Sequence, residues 1–308
     1  MELFKKETKI DFMGMRHFSA GFSIVLSLLL IIAVWGKGLN LGLDFSGGVE
    51  VEARLSIDNS LELLKKHFEK QNLEKVKLKY YGSVKDILVR SANSSLESDA
   101  ALMKKITEAI KVYDPKAEIL KTDIVGAEVG EDLTQKGVFA VFFAILATMI
   151  YIAIRFQYKL ALSAALSLSH DAIIILGIFA IFQIEFDLSV LAAILAILGY
   201  SLNDTIVVFD RIRENFKKIR SQDTSLIINQ SINQTLSRTI MTSFLTFLVS
   251  LSLLMFGGES LKGFSLVLCL GIIIGTYSSI YIASALALYL RLNRVDMLPK
   301  PKEVDNSP

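Results

Sequence analysis

Residues 199–216 read GYSLNDTIVVFDRIRENF. The stretch starts inside an apolar run and ends in a basic cluster, with Asp204 between them, flanked by Ser201, Asn203 and Thr205. An apolar run of about 20 residues is what a helix needs to cross the hydrocarbon of a bilayer. A carboxylate at the centre of such a helix costs about 2.5–3.5 kcal/mol on insertion scales. The stretch therefore reads as the second half of a membrane span that keeps a charge at a cost, and the fold follows from the spans around it.

The chain has 308 residues, 52% of them hydrophobic, and a mean hydropathy of +0.49. That is too apolar for an ordinary soluble domain. Hydropathy predicts six spans, at 17–36, 134–154, 160–182, 188–209, 239–257 and 264–290. The last is longer than a span needs, which predicts tilt or protrusion. The first follows Lys5, Lys6, Lys9 and Arg16 as a signal peptide would, but it is nearly span length. It also ends in Trp35-Gly36 rather than a small-x-small cleavage site, so it reads as a retained anchor with Trp35 at the interface.

Basic residues set the orientation. With six spans, four basic segments share one side. They are the N-terminus; Arg155 with Lys159; Arg211, Arg213, Lys217, Lys218 and Arg220 with Arg238; and a tail carrying Arg291, Arg294, Lys300 and Lys302. The opposite loops, QIEFD (183–187) and GGESLKG (257–263), lean acidic. Both termini, 1–16 and 291–308, are expected in the cytoplasm. Glu185, Asp187 and Glu259 read as solvated interfacial carboxylates, and Asp210 as a solvated pair with Arg211 and Arg213. Cys269 is the single cysteine and reads as inert packing. Three scattered histidines do not suggest a metal cluster, and no cofactor or nucleic acid is implied. The absence of a phosphate-binding P-loop argues against ATP hydrolysis, and the chain reads as a non-enzyme.

Residues 37–133, between spans one and two on the opposite side, form a long segment rich in both charge signs and nearly balanced. GGVEVEARL alternates as a strand, LELLKKHFEKQ is amphipathic behind Asp58 and Ser60, and KVKLKYYG with DILVRS reads as a hairpin turning at Gly82 and Ser83. SDAALMKKITEAIKVYD is helical and stops before Pro115; AEILKTDIVGAEVG reads as extended. The order β-α-β-β-α-β is the ferredoxin-like plan. The fold class is thus a polytopic α-helical membrane protein with one small α+β domain between its first two spans, the other five spans forming a bundle over 134–290.

Polar residues inside the spans are few. Ile197, Tyr200, Ser201, Asp204 and Val208 share one face of span four. Arg238, Thr242, Thr246 and Ser250 recur every fourth residue of span five, a polar stripe on the neighbouring antiparallel helix. His170 and Asp171 lie about three turns into span three, and only one of two adjacent residues can face the Asp204 cavity. Gly271 and Gly275 have small-xxx-small spacing and read as tight packing. Asp204 has two readings: an ion pair with Arg238 that fixes helix register, or a group in a wet cavity that takes up and releases a proton. Intramembrane carboxylates favour the second.

Three stretches together resemble the SecF family of the bacterial protein-export machinery: GLDFSGGVEVE (42–52), LSHDAIIILGIFAIFQIEFDLSVLAAILAILGYSLNDTIVVFDRIRENF (168–216) and INQTLSRTIMTS (232–243). The resemblance implies an RND-type, proton-driven subunit that pairs with SecD, associates with the SecYEG channel and the accessory YajC, and uses the proton-motive force to support translocation of preproteins. It makes Asp204 the proton-pathway carboxylate and Arg238 its functional partner; His170, Asp171, Asn203 and Thr242 are accessory polar candidates by their place in the spans alone. It places LDFSGG (43–48) at the start of the external domain, with Gly47-Gly48 allowing a sharp turn. A half-size exporter of small molecules is the alternative, but exporters of that group carry two large insertions and twelve spans per chain. An intramembrane aspartyl protease would need facing carboxylates, such as Asp204 and Asp171. A purely structural partner protein is the remaining reading.

Overall fold

Lipid offers a backbone no hydrogen-bond partner, so an apolar segment that crosses it must close its own bonds as a helix. The computed structural model describes residues 8–58, 60–73, 76–91, 99–219 and 223–297. Among the described residues are six helices long and apolar enough to span a bilayer. They are α1 (Arg16–Lys37), α5 (Ala127–Arg155), α6 (Tyr158–Phe182), α7 (Leu188–Lys218), α8 (Thr224–Phe256) and α9 (Glu259–Tyr277). The last continues through a π-helical turn (Ser278–Ala283) into α10 (Ser284–Tyr289). The basic residues Lys5, Lys6, Arg220, Lys300 and Lys302, and Lys75 and Ser98 of the domain pattern, lie outside the described residues.

The helices overrun the predicted spans, because hydropathy marks only the part that suits lipid. The connection after span four is largely helical. The end of α7 and the start of α8 form a hairpin in which Phe209, Ile212 and Phe216 pack with Ile227, Ile228 and Ile232 around Phe12 and Met13. Asp210 does not pair with Arg211 or Arg213, which point elsewhere on the helix. It faces Arg155 at 3.9 Å, while Arg211 binds Glu214 at 2.8 Å. At the same end, Lys159 donates to Asp296 Oδ2 at 2.6 Å and so ties the start of α6 to the short helix α11 (Arg294–Met297). Trp35, at the far end of α1, is 89% exposed.

Between α1 and α5 lie β1 (Asn40–Leu41), α2 (Leu43–Ser46), β2 (Gly48–Arg54), α3 (Leu61–Lys70), β3 (Val76–Tyr81), β4 (Ser83–Ser91), α4 (Asp99–Tyr113) and β5 (Glu118–Val125). The sheet order is β3-β4-β2-β5, with every neighbouring pair antiparallel. This is the ferredoxin-like arrangement the pattern predicts. Val49, Val51 and Ala53 alternate onto one face and pack against Leu64 and Phe68 of α3 and Ile106 and Ile110 of α4. Gly47 and Gly48 (φ +66° and +118°) take the turn into β2. AEILKTDIVGAEVG is extended only to Val125; α5 starts at Ala127.

The sheet's other face looks toward the helix bundle, and here Glu185 departs from expectation. It sits on β6 (Glu185–Phe186), which pairs in parallel with β1. Rather than facing solvent, its carboxylate binds Arg90 of β4 at 2.5 Å and Lys79 of β3. Arg90 also holds Glu50 of β2. Burial pushes the Glu185 carboxyl up, but the hydrogen bond from Lys79 and the charges of Arg90 and Lys79 outweigh it and leave it below its ordinary value. A carboxyl so lowered stabilises its contacts above the ordinary value and loses that contribution as pH falls through the folded one. The domain–bundle contact is therefore expected to hold from neutral pH down to about 4.5 and to loosen only in stronger acid. Distances between spin labels on the domain and the bundle, followed across pH, check this.

Candidate functional site

Asp204 lies on α7 with Ile197, Ser201 and Val208 on the same buried face, and is 3% exposed. Its carboxylate Oδ2 accepts a hydrogen bond from Ser243 Oγ of α8 at 3.2 Å. Ser243 in turn accepts from Thr276 Oγ1 of α9 at 2.8 Å, so three helices meet at the site. Among the described residues no ion pair joins Asp204 to Arg238. Arg238 is exposed on the outward side of α8, as is Thr242, whose hydroxyl returns to its own helix at Arg238 O and Thr239 O. Asn203 is also exposed and turned away from Asp204.

The stripe misplaced the inward face for a geometric reason. A residue every fourth position advances about 40° per step around an α-helix. From Arg238 to Ser250 the drift is about 120°, and Ser250 is buried while Arg238 is exposed. The face that turns inward runs Ile228, Ile232, Thr235, Thr239, Ser243 and Ser250, all buried. Ser243 was within reach of sequence reasoning at heptad spacing from Leu236 and Ser250.

A second buried carboxylate, on α6, is built differently. Asp171 is fully buried, with Ser201 Oγ of α7 donating to Oδ2 at 2.7 Å and Ser278 Oγ of the π turn donating to the same oxygen at 2.8 Å. His170 Nδ1 stands 3.1 Å from Oδ1. Ser279, next in the π turn, donates to Ser201 O at 3.3 Å and accepts from Thr205 Oγ1 at 3.1 Å. Asp171 thus binds three helical elements together, and no hydrogen bond joins it to Asp204 among the described residues. Asp171→Leu is expected to destabilise the bundle by on the order of 3 kcal/mol, since each buried donor left without an acceptor costs about 1–3 kcal/mol. Asp171→Asn, which keeps an acceptor oxygen, costs less. Thermal unfolding in detergent measures the difference.

Among the described residues four buried hydroxyls have no hydrogen-bond partner in the protein, those of Thr8, Ser167, Tyr200 and Thr239, and the last two stand on the helices that meet at Asp204. Tyr200 precedes Asp204 by four residues on α7, and Thr239 precedes Ser243 by four on α8. The two helices are antiparallel, so these hydroxyls flank the Asp204–Ser243 pair on opposite sides along the bundle axis, each about 6 Å away along its helix.

The model for the SecD/SecF protein-export membrane protein C-terminal region matches residues 105–293, and the SecD/SecF GG motif matches residues 32–56. The protein translocase subunit SecF of Pseudomonas aeruginosa is 41% identical over 303 residues, covering 97% of this chain and 98% of its own. The chain belongs to the SecF family. The SecF of Haemophilus influenzae is likewise 41% identical, over 97% of this chain and 92% of its own. Among solved structures, the translocon-associated SecDF of Thermus thermophilus matches with a TM-score of 0.84 and 34% identity over 94% of this chain. A SecDF structure described as the super-membrane-facing form matches at 0.71. The chain spans 40% of each of those longer SecDF chains. Within the family's GG motif stand Gly47 and Gly48, the pair that turns the chain into β2.

Proposed function

We propose that this SecF-family chain works with SecD at the SecYEG channel of the bacterial inner membrane, and uses the proton-motive force to support translocation of preproteins, with YajC as a further partner. Asp204 is the group that takes up and releases the proton. The observation that carries this reading is its environment: a carboxylate buried in an apolar helix, accepting one hydrogen bond, from Ser243. Tyr200 and Thr239 supply hydroxyls on either side of it along the axis, as stepping stones between the two membrane faces. In this reading both termini are cytoplasmic and the α+β domain is extracytoplasmic, in keeping with the basic segments at the opposite end of the bundle.

Arg238 is exposed on the outward side of α8, at the edge of the span expected over 239–257. Polar groups there need a protein neighbour rather than lipid, and SecD is the neighbour this surface suits. Arg238 therefore acts at the seam between the two subunits, and its charge bears on Asp204 without a direct ion pair. The test is preprotein export with ATP supplied, across vesicles holding this chain and SecD, with and without a proton gradient. Arg238→Met is expected to assemble and to lose the gradient-stimulated part. Unchanged stimulation in both Arg238→Met and Asp204→Asn would remove the proton pathway from this site.

A further inference from the structure

A cleft of about 1040 Å³ separates much of the open face of the α+β domain's sheet from residues 184–189 and the first turns of α9. Among the described residues, the ion pairs that cross from sheet to bundle converge on one carboxylate, Glu185, held by Arg90 and Lys79. Arg90 and Glu185 are only partly exposed, 16% and 23%, whereas Lys79 is 49% exposed. A partly desolvated, hydrogen-bonded pair of this kind is stronger than a surface one.

The loop that presents Glu185 is fastened on all sides. Gln183 takes a left-handed conformation (φ +51°), and its Nε2 donates to Ala180 O and Gly38 O. Asn40 Nδ2 donates to Gln183 O at 3.0 Å, and Gly42 N to Phe186 O at 2.7 Å. Asp187 caps α7 by accepting from Val190 N at 2.8 Å, and Asp44 Oδ2 accepts from Leu188 N at 2.9 Å. From Leu188 the helix runs unbroken to Asp204, about 24 Å along the axis. A rigid rod thus joins the buried carboxylate to the residue that grips the sheet.

We propose that Glu185 is a positioning residue that couples α7 to the α+β domain: seated between Arg90 and Lys79, it makes the domain follow any displacement of the helix that carries Asp204. This rests on the reading of Asp204 as the proton-bearing group. The coupling is a closed contact that transmits motion, rather than a clasp that must open. Its strength at neutral pH, where Glu185 is ionised between two cations, agrees with that role.

The test uses the chain with SecD in vesicles, on a Cys269→Ser background that removes the single native thiol. Tyr81 and Ser260, whose hydroxyls lie 2.5 Å apart across the junction, are replaced by cysteine, and the yield with a short bis-maleimide cross-linker reports how closely the domain is held. Glu185→Gln is expected to lower that yield about tenfold, the loss of a charge-assisted contact. It is also expected to remove most gradient-stimulated export while leaving export with ATP alone unchanged. Cross-linking the cysteine pair in Glu185→Gln should then restore the gradient-stimulated part. Lys79→Gln, which keeps the Arg90 contact, should show a partial loss, and is decisive if Glu185→Gln does not accumulate. Full gradient stimulation in Glu185→Gln, or failure of the cross-link to restore it, overturns the proposal. Asp204→Asn, run in parallel, separates the two ideas. It should keep the cross-linking yield and lose the stimulation. If it keeps the stimulation while Glu185→Gln loses it, the proton site lies elsewhere and the coupling stands.

Discussion

Asp204→Asn is expected to accumulate in the membrane at the wild-type level and to lose all of the export that depends on a proton gradient. The substitution keeps the side chain's size and an acceptor oxygen for Ser243, so packing at the junction of α7, α8 and α9 is preserved. What disappears is the ability to change charge. A proton crossing 100 mV supplies about 2.3 kcal/mol, which shifts a balanced two-state equilibrium roughly 50-fold at about 1.4 kcal/mol per tenfold. With Asn at 204 nothing in the site couples to that energy, and export should fall to its ATP-only rate. Stopped-flow proton uptake by vesicles gives an independent reading, in which the variant should show no gradient-coupled signal. Wild-type behaviour in both assays would make Asp204 a packing residue.

The second large effect concerns how closely the last span lies on α7. A Cβ added at Gly271 would meet Ile197 Cγ1 at 2.2 Å, and one at Gly275 would meet Ser201 Cβ at 2.9 Å. Small residues at these positions let two membrane helices approach to backbone contact. Gly271→Leu must push α9 off α7, displacing Ile197 and drawing Thr276 away from Ser243. Overpacking of this kind costs about 1–3 kcal/mol for added methylenes, and a branched side chain in a gap that closed lies at the upper end or beyond. Loss of accumulation, or a large fall in melting temperature in detergent, is expected. Gly199→Ala on α7 is the counterpart. Its Cβ would find nothing within 4 Å, and relieving a helical glycine gains about 0.5–1 kcal/mol. Equal melting temperatures for the two variants would refute this account of the α7–α9 contact.

The six spans, the β-α-β-β-α-β order and the tight fit at Gly271 and Gly275 were legible because each rests on a local signal: run length, alternation, or small-residue spacing. Asp204 was legible because a charge in an apolar run needs a reason wherever it is found. Its partner was not, since the every-fourth-residue stripe through Arg238 drifts around α8 while the buried face follows Thr239 and Ser243. Which of His170 and Asp171 turns inward depends on where Ser201 and Ser278 stand, and no short window of sequence contains all of them. Glu185 was read as solvated because its loop is polar and short. Its partners, Lys79 and Arg90, lie about a hundred residues earlier and reach it only once the sheet has formed.

The π turn at Ser278–Ala283 sets the phase of the last span. One residue of an α-helix is worth about 100° of rotation and 1.5 Å of rise, and a π turn absorbs one residue more than an α turn does. Upstream of it, Gly271 and Gly275 are keyed to α7. At its end and beyond, Ala283 and Ala287 fill the core with Phe12 and Ile232, and the Tyr289 hydroxyl meets His17 Nδ1 at 2.9 Å. The same residues wound as an unbroken α-helix would turn the lower half by about a quarter of a revolution, and one of these two sets of neighbours would be lost. The span therefore behaves as two keyed shafts joined at a single offset coupling, and the offset is held by Ser278 on the carboxylate of Asp171.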